Sequence, residues 1–477
     1  MSKKHKKRIF IACLLLFLCF YIGTIYYQEN KPLPKGVSYE GDVHHIQEDQ
    51  VQFLYDLTYK KDKETVHEQE IFDTIFQAID DAEKFVIMDF FLFNDYYNQG
   101  LDFPPLSTSL IDVLIEKKKR NPNIEIILIT DEINTSYGSH KNWQFEKLKG
   151  HGIKVLLTDV DSLRDSNPLY SAIWRMFFQW FGQEGKGTLP NMMADEAPDM
   201  TLRSYLKLLN VKANHRKTVA TDKKAFILSG NPHDASAYHS NIGFEVEGSI
   251  IEDVLKSEQA AANLAEGYVL PTYKAKNESG DVAVQLVTEG KVANKVIDSL
   301  EKAEKGDQIW MAMFYLAERE VIEELLSAST RGVNINLILD PNENAFGSKK
   351  SGLPNRPVAQ ELHEKSDGNI HIRWYNTGEE QYHPKLLYIK KKDKITIIGG
   401  STNFTQRNMD NFNLETNVKV EAKVNSLLAK DLDDYFDRQW NNRDGEFTLD
   451  FEKYQNSLTT MQRVVYIIQK WLYFTTY

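Results

Sequence analysis

Cysteine is almost missing from this chain. Two occur in 477 residues, Cys13 and Cys19, and both fall inside one apolar segment near the N-terminus. The rest can form no disulfide and no Cys-based zinc site. Metalloprotease helices, P-loops and serine-hydrolase elbows are absent as well. So is a basic balance: the formal net charge is −11, although the first eight residues hold five Lys and Arg and no acid. That acidic bulk weighs against a nucleic-acid partner. Hydrophobic content is 42% and charged content 26%, ordinary for a globular chain with room for two or three domains.

One uncharged apolar run is present, "IFIACLLLFLCFYIGTIYY", residues 9–27. At ~1.5 Å per residue it reaches about 28 Å, close to the hydrocarbon thickness of a bilayer. The basic tail 1–8 precedes it, and Tyr26 and Tyr27 close it like an interfacial belt. No small-x-small cleavage site follows, which favours an uncleaved transmembrane helix over a signal peptide. Positive charge stays in the cytoplasm, so the expectation is a single-pass cell-membrane protein with its bulk outside.

The remainder repeats itself. "KFVIMDFFLF" (84–93) is answered by "DQIWMAMFYLA" (307–317), each after an amphipathic helical stretch. "IEIILITDEINTSYGS" (124–139) is answered by "VNINLILDPNENAFGS" (333–348), and "HGIKVLLTD" by "GNIHIRWYN". Strands alternating with helices in both halves give a duplicated α/β unit, with a mixed, largely parallel sheet flanked by helices in each. The boundaries read as linker 28–48, first lobe 49–269 with an aromatic insert at 165–200, linker 270–281, second lobe 282–445 and C-terminal tail 446–477. Asp131 and Asp340 end equivalent strands, where they either line a site or cap the next turn.

Each half then carries a chemical signature. "NHRKTVATDKKAFILSGN" supplies His215, Lys217, Asp222, Ser229 and Asn231, and "YHPKLLYIKKKDKITIIGGSTN" supplies His383, Lys385, Asp393, Ser401 and Asn403. "NIGFEVEG" and "NFNLETNV" follow, with Glu245 and Glu415. His-x-Lys also occurs at His5 and His363, but without a following strand, small-residue turn and acid. The combination resembles the phospholipase D superfamily, His-x-Lys-x4-Asp-x6-Gly-Ser-x-Asn. The second copy has three extra residues before Asp393, and the first reads Ser229-Gly230-Asn231 in place of Gly-Ser-x-Asn.

The resemblance implies duplicated lobes with the active site at their interface. One histidine attacks phosphorus and the other protonates the leaving alkoxide, with His215 the expected nucleophile and His383 the acid. Lys217 and Lys385 neutralise the phosphate, and Ser229, Asn231, Ser401 and Asn403 donate hydrogen bonds to it. Glu245 and Glu415 orient the histidines, while Asp222 and Asp393 are structural. No metal and no cofactor are expected. The implied activity is a membrane-anchored phosphodiesterase or phosphatidyltransferase, phospholipase D or cardiolipin-synthase-like, using the phospholipid bilayer with a water or alcohol acceptor. "NHRK" is similar to bacterial cardiolipin synthases, which usually carry two N-terminal spans. A nuclease-type phosphodiesterase and a non-catalytic lipid-binding protein are the alternatives. The insert, with Leu169, Tyr170, Ile173, Trp174, Phe177, Phe178, Trp180 and Phe181, reads as a core helix, a lid or an interfacial membrane helix. "MQRVVYIIQKWLYFTTY" at the C-terminus suits an interfacial anchor or packing on the second lobe.

Overall fold

The computed structural model describes residues 2–265, 267–274, 278–345 and 348–455, with 459, 462 and 464. The expected interfacial anchor at the C-terminus falls almost wholly outside these. Two mixed sheets carry the fold. The first, of seven strands, runs Val51–Tyr55, Ile242–Glu247, Lys224–Leu228, Lys217–Thr221, Phe85–Phe90, Glu125–Asp131, Lys154–Thr158. The second repeats that order with Val282–Thr288, Thr416–Lys423, Lys394–Gly400, Lys385–Lys390, Gln308–Met313, Asn334–Leu339, Ile370–Tyr375. It adds His44–Ile46 at one edge and Thr448–Asp450 at the other, nine strands in all. Segment 28–48 therefore contributes a strand to the second sheet, and so does the beginning of the C-terminal segment.

The sheets are less parallel than the alternation of helix and strand suggests. Only Phe85–Phe90 with Glu125–Asp131 with Lys154–Thr158, and the matching three in the second lobe, pair in parallel. The motif strands return through tight hairpins, and a two-stranded hairpin can only be antiparallel. In the second lobe that hairpin extends two residue pairs further, through Ile389 with Thr396 and Lys390 with Ile395. These pairs absorb the extra residues before Asp393.

The two sheets pack face to face through a shared apolar core that includes Ile242 and Phe244 from one lobe and Leu386 and Ile397 from the other. A Cβ at Gly399 would sit 2.7 Å from a ring carbon of Phe244, so a side chain there would wedge the sheets apart.

The N-terminal helix, Lys3–Asn30, buries no residue in the protein and is long and apolar enough to cross a membrane. Its second half lies along the insert: Tyr21 donates to the Leu169 carbonyl (2.7 Å), and the Phe17 and Phe177 rings stack at 6.4 Å. The insert forms a short helix, Pro168–Ile173, continued by a π-helical turn, Trp174–Phe178. Trp174 is in the core, whereas Leu169, Ile173, Phe177, Phe178, Phe181 and Trp180, the last 75% exposed, are not. The core-helix reading thus holds for one side of the turn only.

Candidate active site

Two short parallel bridges sew the lobes together beside the motif strands. His215 N–H donates to the Leu414 carbonyl (2.9 Å), and His383 N–H donates to the Ser240 carbonyl (2.8 Å). Each histidine thereby sits against the segment of the opposite lobe that ends in an orienting residue. His215 Nδ1 lies 2.9 and 3.1 Å from the Glu415 carboxylate oxygens. His383 Nδ1 lies 3.1 Å from Asn241 Oδ1. The Asn241 Nδ2 donates to the His239 carbonyl (3.1 Å), which turns its oxygen toward the ring.

The second orienting group is therefore Asn241 and not Glu245. Glu245 lies four residues further along the strand and pairs with Lys224 across the hairpin. Aligning "NIGFE" with "NFNLE" misplaces it, because the loop from Ser229 to Asn241 is two residues shorter than that from Ser401 to Glu415. The hydrogen bonds give the true register. Ser229 Oγ donates to Asn241 Oδ1 (3.1 Å) and accepts from Ile242 N (2.9 Å); Ser401 Oγ donates to Glu415 and accepts from Thr416 N (2.9 Å). Each serine proton is committed to an orienting side chain, so the expectation that Ser229 and Ser401 bind phosphate gives way to a positioning role. Their matched bonding also puts Asn231 and Asn403 in equivalent places. Neither asparagine Nδ2 makes a hydrogen bond among the described residues; Asn231 Oδ1 accepts Leu92 N–H (3.2 Å), and Asn403 Oδ1 is buried without a partner.

The lysines are equally matched. Lys217 Nζ donates to the His215 carbonyl (2.9 Å) and Lys385 Nζ to the His383 carbonyl (2.7 Å). Phe91 and Phe314 complete the symmetry. Lys217 Nζ lies 5.4 Å from the Phe91 ring centre and Lys385 Nζ 5.1 Å from that of Phe314. The same rings lie 5.0 and 4.9 Å from the His215 and His383 rings. Both phenylalanines occupy the same position in the repeated strands 84–93 and 307–317, a signal the sequence carried.

Further back, Asp131 Oδ2 accepts Asn214 N–H and Asp340 Oδ2 accepts Tyr382 N–H, each at 2.7 Å and each one residue before a histidine. Their other oxygens accept Ile133 and Asn342 N–H, so strand-end placement and turn capping are both realised. Burial pushes both carboxyls up to about 7. Arg216, wholly buried, pairs with Glu289 of the other lobe, which also accepts Glu415 N–H (3.0 Å). Asp222 accepts Glu83 and Lys84 N–H at the hairpin tip, and the Asp393 carbonyl accepts Val424 N–H at the other.

Four basic groups thus share one buried space. Burial first, then the positive charges of Lys217 and Lys385, pushes both histidines well below their ordinary range. Burial pushes Lys217 down to about 7, and Lys385 is lowered by burial and by Lys217. Such a site holds its neutral imidazoles ready and gains its protons when an anion enters.

A sequence model described as "Cardiolipin synthase, PLD-like domain" matches residues 296–440, the second lobe with its motif. Over those residues the chain is similar to the phospholipase D-like family that the model describes. The fold is similar to that of the crystal structure of phosphatidylserine synthase from Haemophilus influenzae Rd KW20, with a TM-score of 0.60 at 10% identity over 95% of this chain and 97% of that one. Polyphosphate kinase from Porphyromonas gingivalis is similar at TM-score 0.47 (13% identity, 90% of this chain, 54% of that one). The phospholipase D family member Nuc from Salmonella typhimurium gives 0.27 (18% identity, 35% of this chain, 97% of that one). No curated protein sequence matches the chain.

The lysine environment predicts a pH signature for oxyanion binding to this site. In the empty site Lys217 titrates near 7, and a bound anion raises that value. Sulfate, which does not itself titrate here, should therefore bind with proton uptake at pH 8 and more weakly as pH rises from 7 to 9. Calorimetry in buffers of different ionisation enthalpy measures both, and pH-independent binding without proton uptake contradicts it.

Proposed function

We propose that the protein is a membrane-anchored phosphodiesterase or phosphatidyltransferase that acts on phospholipids through a phosphohistidine. One observation carries this reading: the crosswise pairing of His215 with Glu415 and His383 with Asn241, with Lys217 and Lys385 between them. With Nδ1 held by Glu415, Nε2 is the His215 nitrogen assigned to the attack. It attacks phosphorus, the bond to the head-group oxygen breaks, and His383 protonates the departing alkoxide. Water or an alcohol then gives its proton to His383 and attacks the same phosphorus, and the P–N bond breaks. The two ammonium groups and the Asn231 and Asn403 amides hold the non-bridging oxygens throughout.

The unequal partners support His215 as nucleophile. Burial raises the Glu415 carboxyl to about 8, and the cationic imidazole that forms when His215 bonds to phosphorus draws it into the carboxylate form, which stabilises that cation. The neutral Asn241 amide stabilises a protonated His383 less, which makes that histidine the stronger proton donor. Phospholipid as substrate is supported by the lipid-synthase family model and by the apolar N-terminal helix. The charge step across that helix favours catalytic lobes outside the cytoplasm. The insert face beside it, Leu169 to Phe181, then enters the outer leaflet and seats the lobes on their substrate surface.

Mass spectrometry of products from purified protein and defined liposomes tests the reaction. Phosphatidic acid is expected with water, and phosphatidylglycerol or cardiolipin with glycerol or phosphatidylglycerol as acceptor. Diacylglycerol as the main product sinks the reading. Trp180 tests the seating: its fluorescence should shift to the blue and be quenched by lipids brominated on their acyl chains in proteoliposomes. Quenching by aqueous iodide instead removes the insert from the bilayer.

A further inference from the structure

Three arginines are buried among the described residues: Arg175, Arg216 and Arg407. Arg175 pairs with Asp165 (2.9 Å) and Arg216 with Glu289 (2.7 Å). Arg407, 7% exposed, has no ion pair and no side-chain hydrogen bond among the described residues, and its Nε is enclosed. A buried guanidinium without a partner is strongly disfavoured unless an anion comes to it. Its position is suggestive of a substrate. Arg407 stands on the turn Gln406–Met409, just past Asn403, and its neighbour Asn408 donates to Glu415, the residue that holds His215. Tyr137 from the first lobe and Tyr315 from the second are the ionisable groups whose charge bears on the guanidinium. Tyr315 in turn stacks on Phe314, centres 4.0 Å apart, against His383.

The charges count the same way. A phosphodiester bears one negative charge, which the protons that Lys217 and Lys385 take up on binding already match. A further cation on the turn next to Asn403, one residue from the Asn408 that holds Glu415, answers a second anion. Guanidinium is the group best shaped for two-point binding of phosphate or carboxylate. It also stays charged at neutral pH, since burial lowers its pKa only to about 10.

We propose that Arg407 binds a second anionic group, a phosphate or a carboxylate, carried by the substrate pair beside the diester under attack. The proposal rests on the phosphatidyl-transfer reading above. Two sources share this chemistry: the donor's own head group, as in phosphatidylserine, and the phosphate of an acceptor lipid, as in phosphatidylglycerol.

Binding tests the site without any turnover. Full-length protein carrying Lys217→Ala and Lys385→Ala should still bind sulfate. Adding Arg407→Gln to that pair should weaken sulfate at least about tenfold, the scale of a lost charged hydrogen bond, with thermal melting retained. Equal sulfate affinity with and without Arg407→Gln overturns the proposal. Kinetics then names the source. Arg407→Gln alone should lose at least about tenfold more kcat/KM, chiefly through KM, on one two-anion arm than on bis(p-nitrophenyl) phosphate. Phosphatidylserine against phosphatidylcholine as donor is one arm, and phosphatidylglycerol against glycerol as acceptor is the other. Equal losses on all arms overturn it too. Failure of the wild-type protein to act on any diester counts against the phosphatidyl-transfer reading and leaves the sulfate comparison to decide the role of Arg407.

Discussion

The site depends on one exchange: each catalytic-motif histidine is held by the other lobe. Glu415 reaches back to His215 and Asn241 reaches forward to His383, and parallel backbone bridges at Asn214–Leu414 and Ser240–Tyr382 set the register of both. Neither lobe alone contains an oriented histidine. Leaving one side of a buried hydrogen bond without its partner typically costs about 1–3 kcal/mol. The shared apolar core and the Arg216–Glu289 pair keep the sheets from sliding, and the close approach at Gly399 leaves no room for them to shift. Chemistry and lobe association are therefore one structural problem here.

The same geometry explains the electrostatics. Two lysines and two imidazoles enclosed together repel protons, and the buried acids nearby are spoken for: Glu415 by His215, Ser401 and Asn408, Asp131 and Asp340 by backbone N–H groups. An oxyanion is what this space lacks. The aromatic faces of Phe91 and Phe314 pack beside the lysine nitrogens without supplying a counter-charge, so the charge the lysines gain is left for phosphate.

Much of this was legible in the chain. His215, Lys217, His383 and Lys385 lie at the ends of repeated strands, where spacing is rigid, and the repeat aligned them without ambiguity. The error at Glu245 arose in a loop, where length drifts between copies and an acid four residues downstream looks like the expected one. The serine roles were hidden for another reason: a hydroxyl's partner depends on its three-dimensional neighbour, and here that neighbour is the orienting side chain. Phe91 and Phe314 were visible as matched positions in the repeated strands, but nothing in the pattern marked them as site residues. Parallel pairing was overestimated because alternating helices and strands do not reveal that the motif hairpins turn straight back. Arg407 had no sequence signal at all, since being buried without a partner is a property of the fold.

The central claim is that one nucleophile, His215, is prepared by Glu415 of the opposite lobe while His383 handles protons. Trapping the intermediate tests it most directly. With an activated diester such as bis(p-nitrophenyl) phosphate, whose leaving group needs little protonation, the His383→Ala protein should accumulate an alkali-stable phosphoryl label. Peptide mapping should find it on His215, and Glu415→Gln should slow its formation. Label on His383 in the His215→Ala protein, or no label in any variant in a single turnover, contradicts the account.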